Sequence, residues 1–303
     1  MRFWIPGFVV AVAALSGAAL ADVVVLSPAA DTTLFAAAAD SSLGASDSMA
    51  VGGTAHSQLG RALIRFDVAH SLPAGAVVTG VRLEFTVVRE PAGAVASMFA
   101  VHRMLRSWQE GLGIGNLGSL AATGDSTWNR RSHPDVSWTS PGGAPGSDYV
   151  GVASGEILVT HLRKYSVSSE LMAGDVRAWQ SDPSTEFGWM LRNEMEAEGL
   201  TARRVASRED GARAPLLTID YIVPVRPVIV RWGRVGDEFQ MVFRGEAGNI
   251  YEIQSLDPSM SPAVWVTRTN HVVKLVSRDV EFREPLGSAS ARLYRVADVG
   301  DVD

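Results

Sequence analysis

The chain has 303 residues, no cysteine and a formal net charge of −6 at pH 7. That length supplies material for one large core or two smaller ones, and the missing thiols exclude disulfide staples, thiolate metal centres and a cysteine nucleophile. With 47% hydrophobic and 20% charged residues, neither a disordered chain nor a broad nucleic-acid surface fits. From Met1 to Ala21 the sequence has the pattern of a secretory signal: Arg2, a short apolar run over Phe8–Leu15, and Ala19-Leu20-Ala21 before Asp22. No second apolar run of spanning length follows, so the expectation is a secreted or cell-surface protein without a transmembrane anchor after cleavage.

Beyond Asp22 the dominant periodicity is two. Ile64, Phe66 and Val68 alternate with Arg65 and Asp67, and Val81, Leu83, Phe85 and Val87 alternate with Arg82, Glu84 and Thr86. Such runs predict half-buried strands with the apolar set inward, since a one-residue slip would bury the charges. Further runs at Met98–Met104, Phe187–Leu191 and Leu217–Tyr221 are separated by Pro- and Gly-rich turns. Many short strands at this spacing predict an all-β, jelly-roll-like β-sandwich over 22–222. One short helix is expected between Ser168 and Pro183, with Leu171, Met172, Val176 and Trp179 on its apolar face. Val223-Pro224-Val225-Arg226-Pro227 reads as a linker, because its prolines cannot sit in a central strand. A second set of strands over 228–298 then predicts a small C-terminal β-domain.

Most catalytic templates are missing. There is no GxSxG elbow, HExxH or phosphate-binding lysine loop, and the six histidines have no metal-ligand spacing. Gly113-Ile114-Gly115-Asn116-Leu117-Gly118 matches GxGxxG in letters, yet Trp-Gln-Glu-Gly precedes it in place of a buried strand. It therefore reads as a glycine-rich loop and not a dinucleotide site. Trp108, Trp128 and Trp138 lie in or beside the long polar segment 106–150. A tryptophan in a loop either pins that loop to the core or offers a flat face to a sugar ring. The expected ligand site is Trp138 with Arg130 and Arg131, whose guanidiniums would grip carboxylate or hydroxyl oxygens. No cofactor is fixed by the sequence; a structural calcium holding the loops would have Asp31, Asp67 and Asp125 as its candidate ligands, and the other reading of each is an ordinary turn cap.

Several ordered motifs resemble a known family. Ala62-Leu63-Ile64-Arg65-Phe66-Asp67, Leu72-Pro73-Ala74-Gly75-Ala76-Val77-Val78 and Val81-Arg82-Leu83 look like the opening of DNRLRE domains, with Asp31 and Val51-Gly52 before them. Trp108-Gln109-Glu110-Gly111, Thr127-Trp128-Asn129, Ser207-Arg208-Glu209 and Ala214-Pro215-Leu216-Leu217-Thr218-Ile219-Asp220-Tyr221 complete the likeness over about residues 23–222. The 112–126 segment departs from it by a long glycine-rich insertion. The resemblance implies a jelly-roll-like sandwich related to carbohydrate-binding module family 96, some members of which bind alginate. The function expected is a secreted, non-catalytic carbohydrate-binding or surface-interaction protein, with a polysaccharide or cell-surface glycan as partner, acidic sugars included. The alternatives are a structural envelope or matrix component and, third, a polysaccharide-degrading enzyme.

Overall fold

The computed structural model describes residues 12–15, 21–223, 227–245, 249–259, 261–273, 278–285 and 292–301. Its chain is all-β and sandwich-like, with one α-helix among the described residues. It divides into a unit of Ala21–Tyr221 and a second unit that takes Ile222–Asp303 and the segment before Ala21. Most of the expected leader lies outside the described residues, as do Pro224–Arg226 of the expected linker. Val12–Leu15 is a strand paired in parallel with Leu293–Asp301. No helix among the described residues is long and apolar enough to cross a membrane.

The first unit is built on an eleven-stranded, largely antiparallel sheet that curls back on itself. Val77–Arg89 is its longest strand. It pairs with Lys164–Ser168 through residues 82–86 and with Arg203–Ala206 through Val87 and Arg89. Val81, Leu83, Phe85 and Val87 are buried while Arg82 is exposed, as the alternation requires. Ile64, Phe66, Val101, Trp189, Leu191 and Ile219 close the same core from other strands.

The helix Glu170–Ser181 lies against this core. The Ser169 hydroxyl caps it by accepting the Met172 N–H. Met172, Ala173, Val176 and Trp179 face inward, but Leu171 is 58% exposed. Asp175, which was not among the expected inward residues, is buried among polar partners.

The central strands are covered on both faces. Ala62 and Ile64 of the strand Leu59–Arg65 enter the main core, whereas Leu63 points the other way, with Met190, into a second cluster. That cluster also holds Ala30, Leu34, Met104, Trp108, Trp138 and Tyr149. The polar segment between Met104 and Tyr149 is thus a loop layer pinned onto the outer face of the sheet by its own aromatic side chains. Two-sided burial also explains why residues 60–64 are all buried and show no clean alternation.

The second unit has a three-stranded sheet, Val228–Val235, Glu238–Gly245 and Arg278–Pro285. Its four-stranded sheet comprises Val12–Leu15, Leu293–Asp301, Asn249–Leu256 and Val266–Val272. Phe239, Met241, Phe243, Tyr251, Ile253, Phe282 and Tyr294 form its core. Phe239 and Tyr294 stack with ring centroids 4.0 Å apart.

Candidate functional site

The expected glycan platform is corrected by burial. Trp138 is only 4% exposed, and its Nε1 donates to the Thr127 carbonyl at 2.9 Å. Its ring fills the second core cluster and has no open face to stack on a sugar. Trp108 is buried too, with Nε1 donating to the Phe187 carbonyl at 2.7 Å and the Arg65 guanidinium 5.6 Å over the ring. Trp128 is half-buried beneath Arg61 at 5.3 Å.

The segment expected as irregular loop is a small hairpin, Arg130–Ser132 against Val136–Ser137. Adjacent strand positions point to opposite sides. Arg130 accordingly bonds Ser137 Oγ, and Arg131 reaches Ser107 Oγ at 3.3 Å. The two guanidiniums do not converge with Trp138 on one ligand.

A polar cleft of about 440 Å³ opens next to Ser107, lined by Ala29, Ala30, Arg65, Trp108, Gln109, Glu110, Gly111, Leu112 and Asp125. Gln109 is exposed, Arg65 and Asp125 are half-buried, and buried Trp108 closes the floor. The glycine-rich insertion forms one bank. Its base is stitched to the 42–46 segment: Gly113 N–H donates to Ser42 Oγ at 3.0 Å, and Ala45 N–H to the Gly113 carbonyl at 3.0 Å. A Cβ at Gly113 would fall 1.7 Å from the Ser42 carbonyl oxygen, so the approach requires glycine. The remainder of the insertion presents Leu112, Ile114, Leu117 and Leu120, all more than half exposed. No helix follows it, in keeping with a loop and not a dinucleotide fingerprint.

Behind the cleft three carboxylates meet. Asp31 is the second residue of a buried strand, Ala30–Phe35, whose register sets Asp31 opposite Ile64. Glu110 belongs to the Trp-Gln-Glu-Gly segment fixed by Trp108. Glu209 belongs to a short turn that Ser207 initiates by accepting the Glu209 N–H. One donor oxygen from each lies within 4.8 Å of the other two.

The Asp31 N–H donates to Glu110 Oε1 at 2.8 Å, and Asp31 Oδ2 accepts the Arg208 N–H at 2.7 Å. Arg208 also sits 3.4 Å from Glu110 Oε2 and 3.3 Å from Glu209 Oε1. Asp31 is 1% exposed, and its Oδ1 is buried without a hydrogen-bond partner. Burial, reinforced by Glu209 and Glu110 against the opposing Arg208 N–H bond, pushes the Asp31 carboxyl up to about 8. Burial raises Glu110 as well.

Of the three aspartates expected to share a cation, the fold brings Asp31 into this group. Asp67 is an exposed turn residue bonded to His70 Nδ1 at 2.7 Å. Asp125 lines the cleft, but its Oδ2 accepts the Ala122 N–H at 2.9 Å, and it stands outside the converging trio. Glu110 and Glu209, which converge with Asp31, were not among the expected residues, although both sit in the Trp-Gln-Glu-Gly and Ser-Arg-Glu motifs that carried the family resemblance. No family model matches the chain, and no curated protein matches it.

Proposed function

We propose that this chain is an exported, non-catalytic binding protein that holds a segment of polysaccharide in the polar cleft above Trp108. The cleft itself carries the reading. Its volume of about 440 Å³ falls in the range of small-ligand sites, and its rim mixes donors and acceptors: Arg65, Gln109, Glu110 and Asp125. Two acids stand there against one arginine, so sugar hydroxyls match the lining better than a run of carboxylates does. The apolar contact usually given by an open tryptophan comes here from exposed Leu112 at the mouth.

The leader pattern supports export, and the DNRLRE-like motifs support a module of the carbohydrate-binding kind. Glycoside hydrolysis takes two carboxyl groups facing each other across an open cleft, a role from which Asp31, 1% exposed, is closed off. A glycan array probed with the purified chain tests the proposal when followed by analysis of the bound sugars for cleavage. Retention of intact glycans supports it. Shortened products, or no retained glycan, overturn it.

A further inference from the structure

We propose that Asp31, Glu110 and Glu209 form a binding site for one hard divalent cation, calcium foremost. The inference is independent of any glycan in the cleft.

Geometry comes first. Calcium binds oxygen at about 2.3–2.6 Å, so ligand atoms on one ion lie no more than about 5 Å apart. The three carboxylates present oxygens within 4.8 Å of one another. They reach that arrangement from three distant segments, each held by its own anchor: the buried strand at Asp31, the Trp108 indole near Glu110, and the Ser207 cap before Glu209.

The second observation is the stranded atom. Asp31 Oδ1 is buried in a residue 1% exposed and has no hydrogen-bond partner. Nearly every buried polar atom in a folded protein is satisfied, and a carboxylate oxygen left alone is among the costliest to bury. A cation shared with Glu110 and Glu209 supplies the missing partner.

Charge and donor type select the ion. Arg208 neutralises part of the trio through Glu110 and Glu209, and Arg65 acts on Glu110 from farther away. Neither guanidinium bonds Oδ1 of Asp31. The donor set is all oxygen, without histidine, which suits calcium, magnesium or manganese over zinc or copper. Glu209 is exposed and Glu110 borders the polar cleft, so an ion has a route in and water completes its coordination. The bound ion would tie together residues 31, 110 and 209, closing the fold across the span from its first strands to its last.

The test uses the full chain stripped with chelator. Terbium luminescence sensitised by the nearby Trp108 is titrated and then competed with calcium, magnesium and manganese, and thermal unfolding is followed with and without each ion. The expected result is a single site, displacement by a hard divalent ion, and a melting temperature raised by that ion. Glu209→Gln removes an exposed ligand without opening the core, and should weaken binding at least about tenfold while leaving the chelated protein's melting temperature unchanged. Asp31→Asn should abolish binding; should that variant fail to fold, Glu209→Gln decides alone. Absence of binding up to millimolar ion, or full affinity in Glu209→Gln, overturns the site.

Discussion

Trp189 donates its indole N–H to the Asp175 carboxylate at 2.8 Å, fastening the helix to the sheet at the centre of the larger core. Ser154 Oγ donates to the same Oδ2 at 2.5 Å, and Arg103 Nε lies 3.3 Å from Oδ1. A charged helix residue can therefore occupy an inward position, because its polar atoms are met by the sheet and the loop before it. Trp179 and Trp189 pack edge to face beside this knot, with centroids 4.6 Å apart.

Burial, the largest influence on Asp175, holds its pKa above the ordinary aspartate value despite the two donors. The sign follows directly. The folded state binds the proton more tightly than the unfolded chain, so this contribution is fully present below the unfolded pKa of about 4 and is lost as pH rises through the folded value. Urea titrations across this window should show wild type losing stability relative to Asp175→Asn, which has nothing to titrate there. Asp175→Ala strands the Ser154 and Trp189 donors and should cost roughly 1–3 kcal/mol. Parallel pH profiles for wild type and Asp175→Asn would refute the assignment.

The Arg61–Glu196 pair is the second polar knot. Arg61 Nη2 meets Glu196 Oε1 at 2.5 Å and Nε meets Oε2 at 3.1 Å, with both side chains about nine-tenths buried. Nη1 donates to the Gly142 and Gly143 carbonyls at 2.8 and 3.0 Å. Removing one partner of a buried pair leaves the other charge uncompensated. Glu196→Ala should therefore lower unfolding stability by about 3–5 kcal/mol, read from the denaturant midpoint. Arg213→Ala, which breaks the contact of an exposed guanidinium to Asp210 at 2.7 Å, should leave that midpoint almost unchanged.

Two glycines of the insertion separate close approach from backbone conformation. A methyl at Gly113 collides with the Ser42 carbonyl, while Gly115 has φ +85° with open space around its Cβ position. Gly115→Ala should cost only the left-handed backbone penalty of roughly 1–2 kcal/mol. Gly113→Ala should also detach the loop base, measurable as faster amide exchange at Ala45, whose N–H bonds the Gly113 carbonyl. Equal exchange at Ala45 in both variants would show that the base is not fixed by this approach.

The strand Val77–Arg89 was legible because one face meets the core and the other meets solvent, and its residues record that difference in alternation. The strand Leu59–Arg65 was only half legible: Leu63 serves the outer cluster while Ala62 and Ile64 serve the main core, which blurs the pattern. That outer cluster also misdirected the reading of Trp138. A tryptophan among polar residues suggests an exposed face, but the sheet needed an apolar cover that only this loop layer supplies. Asp31 was named from the sequence as a candidate oxygen ligand. Its partners Glu110 and Glu209 lie 79 and 178 positions away, a proximity that tertiary structure alone creates.

Calorimetric titration tests binding of polysaccharide in the cleft. The best-retained glycan from the array is titrated into the wild type, Arg65→Ala and Gln109→Ala, with Arg130→Ala as a control outside the cleft lining. The two cleft variants should each lose about tenfold in affinity, the scale of one net hydrogen bond or slightly more, while Arg130→Ala binds as wild type. Unchanged affinity in both cleft variants would place the ligand elsewhere and rule the cleft out as the glycan site.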